Sequence, residues 1–230
     1  MKKFLKFSVG TILFVVVLLL ITRLALNRPM PEGESGQKAE TLTDKMLHAL
    51  NAEAYDSLKI IEWDYPRGHS FIWRKAEDSV VVMWDSYSVT FKTKTLDGGA
   101  FENDTRLKGQ AHADALTKAW EFFANDSFWL VAPFKVRDPG TSRQYVKTER
   151  GEAILVTYAS GGVTPGDSYL WILDEHYRPK YWQLWTQKIP IGGIEFVWHG
   201  WEEYQGVWFA PQHQGPGPVT IDITNLKVVN

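Results

Sequence analysis

The sequence predicts an α+β chain that is mainly antiparallel β: a curled, unclosed β-barrel, or half-barrel, with two helices packed in or across its concave face. Three observations carry this. Short runs with period-two apolar alternation recur at regular spacing along most of the 230 residues, as in a meander of half-buried strands. Only two stretches show helical spacing, too few to cover both faces of so long a sheet. Aromatics are in excess, with 11 Trp, 12 Phe and 9 Tyr, and such rings favour wide interiors, ligand cavities and interfaces.

The first element is apolar. Lys2, Lys3 and Lys6 precede the run Phe7–Ile21, which continues through Arg23 to Leu26. About 20 such residues can cross a bilayer, with the flanking Lys and Arg reaching toward water. No convincing small-residue cleavage site follows, so residues 1–26 read as a cytoplasmic basic stub and an uncleaved transmembrane signal-anchor, the alternative being a cleaved signal peptide. The lysines on the short side place the body outside the inner membrane, as a single-pass protein with its domain in the periplasm. Residues 27–40, rich in Pro, Gly and Glu, read as a tether, and residues 41–230 as one domain.

A first helix is expected over Leu42–Ser57. Thr41-Leu42-Thr43-Asp44 resembles a capping box, and Met46, Leu47, Leu50, Ala54 and Leu58 follow at helical spacing. Strand rhythm then takes over in "IIEWDY", "SFIWR", "VVVMW" and "YSVTFKTK". A second helix is expected over Ala111–Ala124, where Leu116, Ala119, Trp120 and Phe123 form one stripe. "NDSFWLVAPFKVRDPG" follows with neither helical nor strand rhythm, and its rings are expected to cap the mouth of the curl. Strands resume in "RQYVKTE", "EAILVTY", "SYLWIL", "KYWQLW", "IEFVW", "VWFA" and "VTIDIT", about ten in all. The apolar phase flips after Ile223 to Leu226 and Val228, which predicts a bulge or strand end near Asn225.

This arrangement, together with "NDSFWLVAPFKVRDPG" and "VTYASGGVTPGDSYLWILDEHYRPKYW", resembles an uncharacterised branch of the bacterial outer-membrane lipoprotein-sorting proteins, which share the LolA/LolB-like fold. The likeness covers residues 41–230. It implies an unclosed antiparallel barrel, helices as a lid, and an apolar cavity that takes acyl chains. The carriers of that family are soluble and their receptor is held by a lipidated Cys, whereas this chain has no cysteine and an apolar N-terminus. A tethered relative would receive, present or sense a lipid near its own membrane. Neither Arg137 nor Arg143 is assigned the role of the carriers' lid-locking arginine.

Other chemistries find little support. Beyond Arg28 the chain holds 20 basic against 27 acidic residues, the wrong sign for nucleic acid. "GDSYL" resembles an esterase nucleophile block but lies late, and Asp174-Glu175-His176 lacks the Asp-x-x-His spacing. The bland alternative is a Gly/Pro loop in which Asp167 bonds backbone amides. His199 and Glu202 lie three apart on a strand and so face opposite sides, which disfavours a metal shared with His213. No metal, cofactor or catalysis is expected. The expected partners are therefore an acyl chain, of a lipid or a lipoprotein, and the membrane. Trp120, Phe123, Phe128 and Trp129 are the candidate lid residues, and Trp171, Trp182 and Trp198 the candidates on the sheet. The rival reading is an envelope scaffold with the same fold, a filled core and no ligand.

Overall fold

A computed structural model describes residues 26–189 and 191–230. The expected signal-anchor lies outside the described residues except for Leu26. Among the described residues no helix is long and apolar enough to cross a membrane.

Two seven-stranded antiparallel sheets form the frame. The first contains β1 (Ile60–Tyr65), β2 (His69–Arg74), β3 (Ser79–Trp84), β4 (Tyr87–Lys92), β5 (Gly98–Glu102) and β6 (Thr105–Arg106), with β16 (Thr224–Val229) beside β1. The second runs in spatial order from β7 (Thr141–Thr148) through β8 (Gly151–Tyr158), β9 (Ser168–Leu173), β10 (Pro179–Trp185) and β11 (Ile194–His199) to β14 (Gln212–Gln214) and β15 (Thr220–Asp222). A separate hairpin pairs β12 (Glu202–Tyr204) with β13 (Val207–Phe209). Only Ile223 separates β15 from β16, so one stretch of chain closes the second sheet and then the first. The ribbon stays unclosed, with β6 and β7 as its ends.

Of the bulge or strand end expected near Asn225, both occur at that crossing: β15 ends at Asp222 and an irregularity follows in β16. Asn225 has φ 52, the register against β1 shifts between Glu62 and Asp64, and Asn225 Nδ2 donates to Asp64 Oδ2 at 2.6 Å. Among the described residues, sixteen strands replace the ten or so expected. The additional ones are short and polar or carry glycine, as in "GGAFE" and "QHQ". Asn103 and Asp104, both at positive φ (45 and 61), make the tight turn between β5 and β6, where two left-handed residues match the twist of a hairpin.

The helical part also differs from expectation. The first helix begins at Gln37, inside the expected tether, and splits into α1 (Gln37–Leu50) and α2 (Ala52–Ser57) at Asn51, which is left-handed at φ 56. The expected capping box is not one. Thr43 lies within α1, and its hydroxyl donates to the Ala39 carbonyl at 2.8 Å. The second helix is α3 (Gly109–Asp126), followed by the single turn α4 (Phe128–Val131) and a 3-10 turn at Ala132–Lys135.

Each sheet buries its inner face under one helix. Ile61, Trp63 and Tyr65 alternate inward on β1 and share an apolar cluster with Ala115, Ala119 and Phe123 of α3. Ala39, Leu42, Met46 and Leu50 of α1 share another with Trp171, Trp182 and Trp198. Trp129 and Phe134 touch both clusters. The aromatic segment after α3 is therefore the seam between two halves of the interior. Arg137 donates to Asp44 Oδ1 at 2.7 Å and Arg143 to Glu40 Oε1 at 2.9 Å, holding α1 to the chain that follows the seam.

Candidate functional site

The helical spacing that turns Phe123 toward the first sheet leaves Trp120, Ala124 and Asn125 along the flank of α3. The chain then turns at Ser127, and α4 delivers Phe128 and Trp129 to the second sheet. Phe128 meets Tyr158 edge-on at 5.4 Å and Tyr169 at 5.2 Å between ring centroids. Trp129 stands edge-on to Trp182 at 5.0 Å and to Phe196 at 4.7 Å. Between flank and sheet lies a cavity of about 480 Å³, within the range of about 300–1,000 Å³ usual for small-ligand sites. Aromatic rings form part of its wall, with Trp73, Tyr158, Tyr169 and Trp182 facing the α3–α4 segment.

All four candidate lid residues, Trp120, Phe123, Phe128 and Trp129, line this cavity. They do not form a flap across a mouth, because Phe123 is buried against the first sheet and Trp129 is wedged between both halves. Of the three sheet candidates only Trp182 reaches the cavity. Trp171 stacks behind it at 5.0 Å, and Trp198 meets Trp171 edge-on at 5.2 Å. Trp171 and Trp198 are thus packing that sets the position of Trp182. The other face of β10 keeps Tyr181 and Trp185 half-buried against Val146, Leu155 and Leu170.

Sequence reasoning missed Tyr158 and Tyr169. Strand parity could have found them, since Tyr169 shares a face with Trp171, and Tyr158 with Ile154 and Val156. The Tyr158 hydroxyl is buried with no hydrogen-bond partner among the described residues. Burial holds its pKa well above the ordinary value, so it stays a neutral donor.

The rim is polar and tied together. The loops after β8 and after β10 supply Gly161, Gly162, Val163, Thr164, Thr186, Lys188 and Ile189. Asp167 joins them: its Oδ2 accepts the Thr164 hydroxyl at 2.5 Å and its Oδ1 accepts the Gln187 backbone N–H at 2.9 Å. The Gln187 side chain donates to the Pro165 carbonyl. Asp167 therefore bonds a backbone amide, as the loop reading of "GDSYL" expects. Ser168 is buried, and its hydroxyl is shared with Thr157 at 2.8 Å. Lys188 donates to Asn125 Oδ1 at 3.1 Å.

Two titratable groups flank the seam. Asp126 ends α3, with its Oδ2 2.6 Å from His69 Nδ1. Desolvation raises its pKa to about 6, although the His69 contact pulls the other way. His213 is fully buried between Trp198 and Trp129, and neither ring nitrogen has a well-formed hydrogen bond among the described residues. Burial lowers its pKa to about 3, the Trp129 backbone offsetting this only in part. No three metal-ligating side chains cluster among the described residues.

No family model matches the chain, and no curated protein does. Among solved structures, a DUF1329 family protein from Desulfovibrio piger is similar over 84% of this chain and 93% of that chain, with a TM-score of 0.43 and 10% sequence identity.

Proposed function

We propose that this is a membrane-anchored extracytoplasmic protein of the LolA/LolB-like kind, which binds the acyl chain of a lipid or lipoprotein in the cavity beside α3 and α4. The observation that carries the reading is the cavity of about 480 Å³ walled by Trp120, Phe128, Trp129 and Trp182. A scaffold with a filled core has no use for such a space. Apolar burial alone is enough to hold an acyl chain, at about 0.8 kcal/mol per methylene. The protein performs no chemistry on its ligand in this reading, and Ser168 serves to tie β9 to β8.

The N-terminal run is the anchor, with the folded body in the periplasm. A carrier tied to one membrane cannot cross the envelope, so the cavity receives or presents its lipid locally.

A diazirine-bearing fatty acid added to the full-length protein and photolysed tests the proposal. Adducts are expected on the peptides containing Trp120–Trp129 and Tyr158–Thr164, and Trp129→Ala is expected to reduce them several-fold. Adducts confined to residues 1–26, or none, would contradict it.

A further inference from the structure

Residues 27–34 do not hang free. Asn27 Oδ1 accepts the Gly192 N–H at 2.8 Å, and Arg28 N–H donates to the Gly192 carbonyl at 3.0 Å. Trp185 Nε1 donates to the Arg28 carbonyl at 2.9 Å. Gly193 permits this approach, since a Cβ there would lie 2.6 Å from Arg28 Cβ. Six residues later, Glu34 and Tyr145 exchange both backbone hydrogen bonds at 2.8 Å. The segment is a strap, bonded at one end to the loop after β10 and at the other to β7.

The loop that receives the strap, residues 186–193, is also a rim of the cavity, through Thr186, Lys188 and Ile189. Lys188 and Gly192 are four residues apart, at most about 14 Å along an extended chain. The surface around the joint has the composition of a bilayer interface. Leu26 and Met30 are 57% and 48% exposed, Ile189 and Ile191 are half-exposed, Lys188 carries exposed positive charge, and Arg28 is exposed with its guanidinium 3.9 Å from Glu195. Apolar side chains mixed with cations suit the headgroup region of an anionic membrane.

We infer that the side of the cavity lined by residues 160–164, Asp167, Thr186, Lys188 and Ile189 faces the bilayer that holds residues 1–26, and that its ligand is a phospholipid acyl chain entering from that bilayer. This rests on reading the N-terminal run as an anchor and the cavity as an acyl-chain site. The turn between β9 and β10, at Glu175, lies at the other end of β10. The length of β10, seven residues or about 20 Å, separates it from the rim.

The chain has no cysteine, so single labels are simple to place. Full-length Val163→Cys, Ile189→Cys and Glu175→Cys would carry an environment-sensitive fluorophore in vesicles of phosphatidylethanolamine and phosphatidylglycerol, with brominated acyl chains as quencher. At least twofold quenching is expected at positions 163 and 189, and none at 175. Gly193→Ala, which displaces Arg28, should reduce the quenching at both rim positions. Equal quenching at all three positions, or quenching at 175 alone, would overturn the inference, as would none at any position. Photolabelling with the diazirine fatty acid in the same vesicles reports on the cavity separately. Adducts on Trp120–Trp129 without rim quenching would sink the orientation and spare the acyl-chain reading. Rim quenching without those adducts would do the reverse.

Discussion

At the scale of single residues, the interior is built from rings whose polar atoms are left over. The indole N–H groups of Trp171, Trp182 and Trp198 are buried without a partner among the described residues. An unpaired buried donor costs about 1–3 kcal/mol, so these tryptophans are there for size and shape. Trp171→Phe should therefore be mild, under about 1.5 kcal/mol. Trp171→Ala should cost about 3–5 kcal/mol, both read from urea unfolding. Two buried groups shape the pH response in opposite senses. His213 takes up a proton near 6.5 when unfolded but only near 3 when folded, so stability falls as pH drops from 6.5 toward 3. Asp126, raised to about 6, contributes stability below its unfolded pKa near 3.8, and that contribution is lost as pH rises through 6. The two partly cancel between pH 4 and 6.5. Asp126→Asn should expose the acid lability, and His213→Leu should remove about 3 kcal/mol of it between pH 6.5 and 4, measured as midpoint shifts. Parity arguments made the inward faces of Trp63 and Phe91 legible in the sequence, whereas "KYWQLW" carries large rings on both faces and left the side of Trp182 open. Parity could not show that Trp171 and Trp198 lie behind Trp182, because depth along a strand leaves no periodic trace.

At the scale of elements, what could be read followed the strength of the pattern. The stripe on α3 and the alternation in β1 and β4 were clear because one face of each is buried and the other wet. β5 was hidden. A Cβ at Gly98 would collide with the Thr90 carbonyl, so that glycine marks a close strand approach rather than an apolar alternation. The start of α1 was misplaced because Thr41 and Thr43 imitate a cap while Gln37 to Glu40 carry little apolar signal. The strap could not be foreseen at all. Each of its bonds engages a backbone group, at Arg28, Gly192, Glu34 or Tyr145, which no side-chain periodicity encodes. The phase flip at Asn225 was visible, and it marks the element on which the whole ribbon turns. Asn225→Val should cost about 1–2 kcal/mol, from the left-handed φ and the lost bond to Asp64, since Asn tolerates that region and a β-branched residue does not. Differential scanning calorimetry checks this. Asn225→Gly should recover most of the loss.

For the whole molecule, the aromatic excess and the long run of strands indicated an unclosed sheet with rings inside. The division into two sheets was not indicated, because it depends on β16 returning to β1, a pairing between distant parts of the chain. The seam from Phe123 to Phe134 joins the halves and leaves a hollow beside α3. Ala124 lines that hollow, and a large side chain there would occupy it. The most direct test is native mass spectrometry of full-length wild type and Ala124→Trp, each taken from vesicles loaded with fatty acid. Retention of one bound chain by the wild type, with an equally folded variant emerging empty, is the predicted result. A wild type that emerges empty at saturating fatty acid, or a variant that binds as well as the wild type, would contradict it.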